Sequence, residues 1–547
     1  MKRPPISYLI VGLLLSSQLL IAQCLKEDFL SKNNSELNNF KKFNINNLST
    51  FIYSNGKADI DGGMAGFQYP KGSNKYAIYT SGFLVGGKVD NILSVCGSLS
   101  GNNISIGGIG ENWLESSWDS TGIYRVRPDY KTASFVEEEK DEYKTVNKLR
   151  EEYENDWNSW PSEHGAPFQD NNLNGVYEVS GDVPGIAGAA QTLWYVANAA
   201  DSTVAGTLFQ SPPLDLEVTV TVWGYNDGTY RDNVVFKKFI LTNKGSKEIT
   251  DMYFSQYVDP DIGNAGDDFA GCDTSLHMAY AYNGYETDYS YNNNPPAIGF
   301  VFLKGAKIEG KYKGMTSFVY WLCSTSTFEY SCPHLDEYQG AIDTYNYMQG
   351  KMLTGEYIKI PDELGGGHTK FRAPGDPVTG TGWIDGVYID PTSDRYFLTS
   401  TGPFNLAPGE SEEIILAQIA AGGRTGIGHL EAVAELKETA RQVLEDYGQV
   451  VSTEKTEELP TEIKLYQNYP NPFNPKSKIK YQIVKSGKVE LVVYDLLGKI
   501  ITSLVDEDKP AGTYEVEFDG ENLSSGIYFY ELRVGDHSQQ RKMILLK

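Results

Sequence analysis

Residues 216–242 read LEVTVTVWGYNDGTYRDNVVFKKFILT. Two alternating, β-branched runs, Leu216 to Trp223 and Val234 to Thr242, flank Asn226-Asp227-Gly228, whose residues tolerate positive φ. That grammar is a strand, a tight turn and a second strand. It recurs outward from Phe51 to about Gly423, at Tyr76 to Val85, Ile298 to Leu303, Ser317 to Leu322 and Ile414 to Ile419, between Gly, Asn and Pro clusters. Asn243-Lys244-Gly245 reads as another hairpin-like turn. The spacing predicts a predominantly all-β chain whose body, 51–450, is a β-sandwich of one or two subdomains. Two segments break the pattern. Val136 to Trp157 places Tyr143, Val146, Leu149, Tyr153 and Trp157 near helical spacing, and His429 to Tyr447 does the same before Gly448. Each predicts one amphipathic helix.

Composition agrees with that reading. The chain has 547 residues, 40% hydrophobic, with 55 Gly and 37 Tyr, a profile of strands and turns. Against 47 Lys and Arg stand 72 Asp and Glu, a formal charge of −25, which repels phosphate backbones and argues against nucleic-acid binding.

Lys2 and Arg3 precede an apolar stretch from Tyr8 to Ala22, broken by Ser16, Ser17 and Gln18, which reads as a secretory signal peptide over 1–22. No later segment offers the ~20 consecutive apolar residues that a membrane helix needs. A flexible Asn- and Lys-rich lead-in is expected over 23–50, and the charged, proline-bearing segment 451–462 reads as a linker. Of the five cysteines, Cys323 and Cys332 are close enough in sequence to close a short disulfide loop, or to remain two buried thiols. No CxxC, HExxH or G-x-S-x-G occurs, so zinc-ribbon, zincin and serine-elbow chemistries lack support.

Residues 463–547 carry strand runs in the number and size of an immunoglobulin-like sandwich. Within them stand Leu465-Tyr466-Gln467-Asn468-Tyr469-Pro470-Asn471-Pro472-Phe473-Asn474-Pro475, then Val493-Tyr494-Asp495-Leu496-Leu497-Gly498-Lys499, then Ser525-Gly526-Ile527-Tyr528-Phe529-Tyr530, and a final Lys542-Met543-Ile544-Leu545-Leu546-Lys547. These four motifs, in order, resemble the type A C-terminal sorting domain of the type IX secretion system. The resemblance implies Sec export, then passage through the outer-membrane translocon of a diderm bacterium to the surface or medium. It also implies tail-processing partners and, in some members, attachment to surface lipopolysaccharide. The body resembles uncharacterised secreted proteins that bear the same tail, a likeness that assigns no activity.

Two constellations in the body suit a hard cation. Asp170, Asn172, Asn174, Val176 and Glu178 stand at positions one, three, five, seven and nine around Gly175 at six, the rhythm of a calcium loop. Position twelve is Gly181, and Asp182 comes one residue late. In the second, Asp259, Asp261, Asp267, Asp268 and Asp273 crowd a glycine-bearing loop, where like charges repel unless solvated or bridged by Ca2+. Asp59 and Asp61 before Gly62-Gly63 form a smaller version. The Asn- and Tyr-rich segment Tyr282 to Asn294 reads as an exposed loop suited to glycan contact. These features predict a calcium-stabilised binding or structural module, adhesin-like, at the cell surface. The alternative is a secreted hydrolase acting on polysaccharide, for which no carboxylate pair can be singled out.

Overall fold

The computed structural model describes residues 39–99, 101–110, 121–322, 330–387, 394–448, 463–468, 471–484, 487–509, 512–535 and 537–547. The signal peptide, residues 23–38 of the lead-in, Cys24, Cys323 and the linker expected over 451–462 lie outside those residues; the end of the lead-in is not flexible chain, since Phe40–Phe43 pairs with Thr50–Tyr53 at the edge of a sheet. The chain divides into two compact units, one on each side of residue 450.

Two antiparallel sheets build the first unit. Among the described residues the first sheet runs Phe40–Phe43, Thr50–Tyr53, Lys57–Ala58, Thr80–Val89, Ile249–Asp259, Tyr396–Leu406 and Ser317–Trp321, with Ile92–Gly97 hairpinned onto Thr80–Val89. The second runs Ser105–Ile106, Gln191–Asn198, Leu216–Gly224, Val234–Asn243, Ser411–Ala421, Ala297–Lys304, Met278–Asn283 and Asp268–Asp273, with Tyr124–Val126 on Gln191–Asn198. The two sheets face one another across a common core. Phe83 and Phe254 of the first sheet close on Phe239 of the second, with ring centroids 5.4 and 4.8 Å away. The hairpin expected around Asn226-Asp227-Gly228 is present, its strands pairing Leu216 with Asn243 through to Trp223 with Phe236.

Asn243-Lys244-Gly245 is a different device from the hairpin turn expected of it. It carries the chain from the second sheet to the first, and the strands on either side of it do not pair. The buried Asn243 amide donates to the carbonyls of Lys247 and Leu406 and its oxygen accepts from Gly245, so one side chain fixes the corner. Further crossings follow at Asp259 to Asp268, Lys304 to Ser317 and Leu406 to Ser411.

Five helices occur among the described residues. The single helix expected over 136–157 is two, α1 (Val136–Glu142) and α2 (Val146–Asn158). Tyr143 between them takes a left-handed backbone, and the Thr145 hydroxyl restarts the helix by accepting from Lys148 N. Leu149, Tyr153 and Trp157 of α2 pack with Trp194 and Val196, on the face of the second sheet turned away from the sandwich interior. α3 (Ser202–Phe209) and α4 (Tyr338–Met348) are additions that the hydrophobic pattern does not announce. α5 (His429–Asp446) lies across Met278–Asn283, Ala297–Lys304 and Ser411–Ala421, burying Val433, Leu436, Ala440 and Leu444. Gly448 follows at φ +66°, the left-handed position that ends a helix.

The second unit is a smaller pair of antiparallel sheets. Lys464–Leu465, Lys476–Ile483 and Gly512–Asp519 form one, and Ile500–Lys509, Gly487–Tyr494, Gly526–Val534 and His537–Leu545 the other. Ile479, Tyr481 and Ile483 alternate inward to meet Val489, Leu491 and Val493 and then Tyr530 and Leu532.

Candidate cation site and sorting tail

At one end of the first sheet, Val258 pairs with Phe397. Asp259 therefore closes one strand beside the start of its neighbour, and Asp394 lies just before that start. Asp259, Asp261 and Asp394 each bring a carboxylate oxygen to within 4.8 Å of the others. Asp259 is buried and the other two half-buried. The phenol of Tyr396 donates to Asp394 Oδ2 at 2.7 Å and holds that carboxylate in place. Unit negative charges no farther apart than this would repel by about 3 kcal/mol or more per pair at an effective dielectric constant of ~20. Asp394 was missed by sequence reasoning because it is remote in the chain and stands in no acidic cluster of its own.

The remaining residues of the expected acidic loop have other positions. Asp273 sits at the far end of its strand, where Oδ1 caps the next turn through Ser275 N and Leu276 N and Oδ2 pairs with Lys437 of α5 at 3.1 Å. Asp267 is half-buried, and burial pushes its carboxyl above the ordinary range. Asp268 is fully buried; Oδ2 accepts from Ile262 N at 2.8 Å, while Oδ1 has no hydrogen-bond partner. Burial pushes its pKa well up, and Asp261 is the charge that adds most to the effect.

Asp288, which sequence reasoning passed over, organises this corner. Its carboxylate accepts from the backbone N–H groups of Asn264, Ser290 and Tyr291, tying the Asp261 loop to the Tyr282 to Asn294 segment. A Cβ on Gly263, at φ +75°, would come within 2.1 Å of Asp288 Oδ1, so the loop requires glycine there. Within the Tyr-rich segment, Tyr282 and Tyr291 are buried, while Tyr285 and Tyr289 are exposed.

The Asp170 loop is exposed and folded on itself. Asp170 accepts from Gly175 N at 2.7 Å and Asn174 N at 3.3 Å, which holds its carboxyl below the usual range. Asn172 Oδ1 accepts from Asn174 N, and Asn174 Oδ1 from Val176 N. Glu178 accepts from the Asn172 amide at 2.6 Å. Asp182 closes the loop by accepting from Asn171 N and Glu178 N. The smaller Asp59 and Asp61 pair does not act as a unit: Asp59 is buried between the sheets and accepts from Thr50, Ser81 and Gln418. Cys96 and Cys272 are buried free thiols, the first pushed up to about 12 by burial. Cys332 is disulfide-bonded, and its partner lies outside the described residues.

Residues 467–546, almost the whole second unit, match the family model of the secretion system C-terminal sorting domain. The C-terminal unit is a type IX secretion sorting domain. It marks the protein for delivery to the cell surface or the extracellular space of a diderm bacterium and implies interaction with that secretion machinery. No curated protein matches the chain. Among solved structures it is similar to a polysaccharide lyase at 10% identity and TM-score 0.20, over 64% of this chain and 36% of that one. It is also similar to PorZ, a surface component of the type IX secretion system of Porphyromonas gingivalis, at 12% identity and TM-score 0.13, over 69% and 47%. The chain thus spans less than half the length of either, and likeness this slight assigns no activity.

Proposed function

We propose that the body, delivered by its sorting tail, is a calcium-stabilised binding or structural module at the cell surface, adhesin-like in role. The observation that carries the reading is the union of a sorting tail with a large two-sheet body whose exposed loops are acidic and polar. The net negative charge lies outside the tail, which from Ile463 onward has 12 Lys and Arg against 11 Asp and Glu. The exposed Tyr285 and Tyr289 offer aromatic faces for glycan contact. In the Asp170 loop, calcium would take side-chain oxygens of Asp170, Asn172, Asn174 and Asp182 and the Val176 carbonyl, with Glu178 at position nine direct or through water.

The test is a panel of glycans and cell-surface extracts offered to the full chain in calcium and in EDTA. Retention without turnover, weakened in EDTA and in Asp170→Ala, is the expected result. Release of new chain ends from any polysaccharide would replace this reading with the hydrolase.

A further inference from the structure

We propose that Arg372 is the core of a buried site for a small anion, of chloride size, at the seam between the edges of the two sheets. The site shares no residue with the Asp170 loop and needs no metal. Arg372 N donates to Phe318 O at 3.0 Å, on the edge strand Ser317–Trp321 of the first sheet. The next carbonyl, that of Ala373, accepts from Cys272 N at 3.4 Å, on the edge strand Asp268–Asp273 of the second. An anion held by Arg372 would therefore steady the chain that joins the two edges.

Arg372 is 0% exposed, and its guanidinium is held in one orientation. Cζ lies 3.8 Å from the ring centroid of Tyr320 and 3.7 Å from that of Tyr330, while Nη1 donates to the Tyr320 carbonyl. Nε and Nη2 are buried with no hydrogen-bond partner, and no carboxylate among the described residues pairs with the charge. The rings offset part of the lost hydration. They supply no acceptor for the two N–H groups, and buried polar groups are almost always paired.

Nε and Nη2 share one edge of the guanidinium fork. Arg395 presents the same pair to Asp385 at 3.0 and 3.1 Å, which shows what that edge accepts: a negative charge. Arg372 cannot escape the cost of burial by losing its proton, as a lysine can, because a guanidinium stays charged in proteins. Water on that edge would satisfy the N–H groups and leave the charge unmet; an anion satisfies both. Full burial also selects for size. A halide occupies one position between the two N–H groups, whereas sulfate or a phosphate ester would bring further oxygens into the seam.

The experiment is a set of thermal melts of the full chain in EDTA, with chloride, bromide, formate or sulfate replacing gluconate at constant ionic strength. Chloride and bromide are expected to raise the midpoint by several degrees in a saturable way, sulfate is not, and the rise is expected to vanish in Arg372→Gln. That variant removes a fully buried side chain and can fail to fold, so crystals of the unaltered protein grown in bromide give a second reading. The expected result is an anomalous peak on the Nε and Nη2 edge of Arg372. Density there without anomalous signal, as from water, overturns the proposal, as does a halide shift that persists unchanged in Arg372→Gln. Stabilisation by formate and by neither halide also overturns it, and so does a bromide peak without stabilisation, which is binding at crystal concentration only.

Discussion

Lys237 sits on the interior face of Val234–Asn243, 4% exposed, between Val235 and Phe239. Burial lowers its pKa, and Asp59 is the one charge that opposes the shift. Asp59 is held by Thr50, Ser81 and Gln418 and makes no ion pair with it. The sign follows from a base whose folded-state pKa lies below its unfolded value. Above the unfolded value of about 10.4 the amine is neutral in both states and costs nothing electrostatically; as pH falls toward and through the folded value, the folded state loses stability. Lys237→Met is therefore expected to raise the melting temperature at pH 7 and to lose that advantage progressively toward pH 10. About 1.4 kcal/mol is at stake for each tenfold shift in the protonation equilibrium. Melts across that pH range, with an equal gain at both ends, would count against the argument.

The elements themselves divide by how locally they are specified. The long strands and α5 could be read from the chain because each satisfies one period over its whole length. Leu436 of α5 is fully buried over Ala297–Lys304, so Leu436→Ala should cost about 2–5 kcal/mol in denaturant unfolding, while the exposed Glu438→Ala should cost little. α3 was hidden because Thr203, Val204, Gly206 and Thr207 do not favour a helix, and its cap rests on Asp201 accepting from Thr203 N. α4 was hidden because its inward face includes Asp343 and Thr344, which break the apolar stripe. The Asn243 corner resembles a hairpin turn in composition, and only the pairing of distant strands reveals it as a crossing. Likewise the acidic loop was visible as charge. The division of its members, with Asp261 meeting Asp394 and Asp273 meeting Lys437, is fixed by contacts remote in sequence.

At the scale of the molecule, the tail was the most readable part, since its four motifs and its period-two strands lie within one short stretch. Its role predicts that a chain ending at residue 462 is synthesised and exported from the cytoplasm but stays in the periplasm. Fractionation of cells expressing the full and shortened chains would reveal this, and equal release of the two would contradict it. The body's larger architecture was less readable because its two sheets exchange the chain repeatedly.

That exchange has a temporal consequence. Ser411–Ala421, the last strand of the body, lies in the middle of the second sheet, hydrogen-bonded to Val234–Asn243 on one side and Ala297–Lys304 on the other. A polypeptide emerging from a pore N-terminus first can form the two halves of that sheet, but nothing joins them until residue 421 is free. Such remote pairings are slow to find, because the loop entropy is lost before the contacts form. The sandwich is thus completed only near the end of its passage, and until then two open sheet edges wait for the same strand.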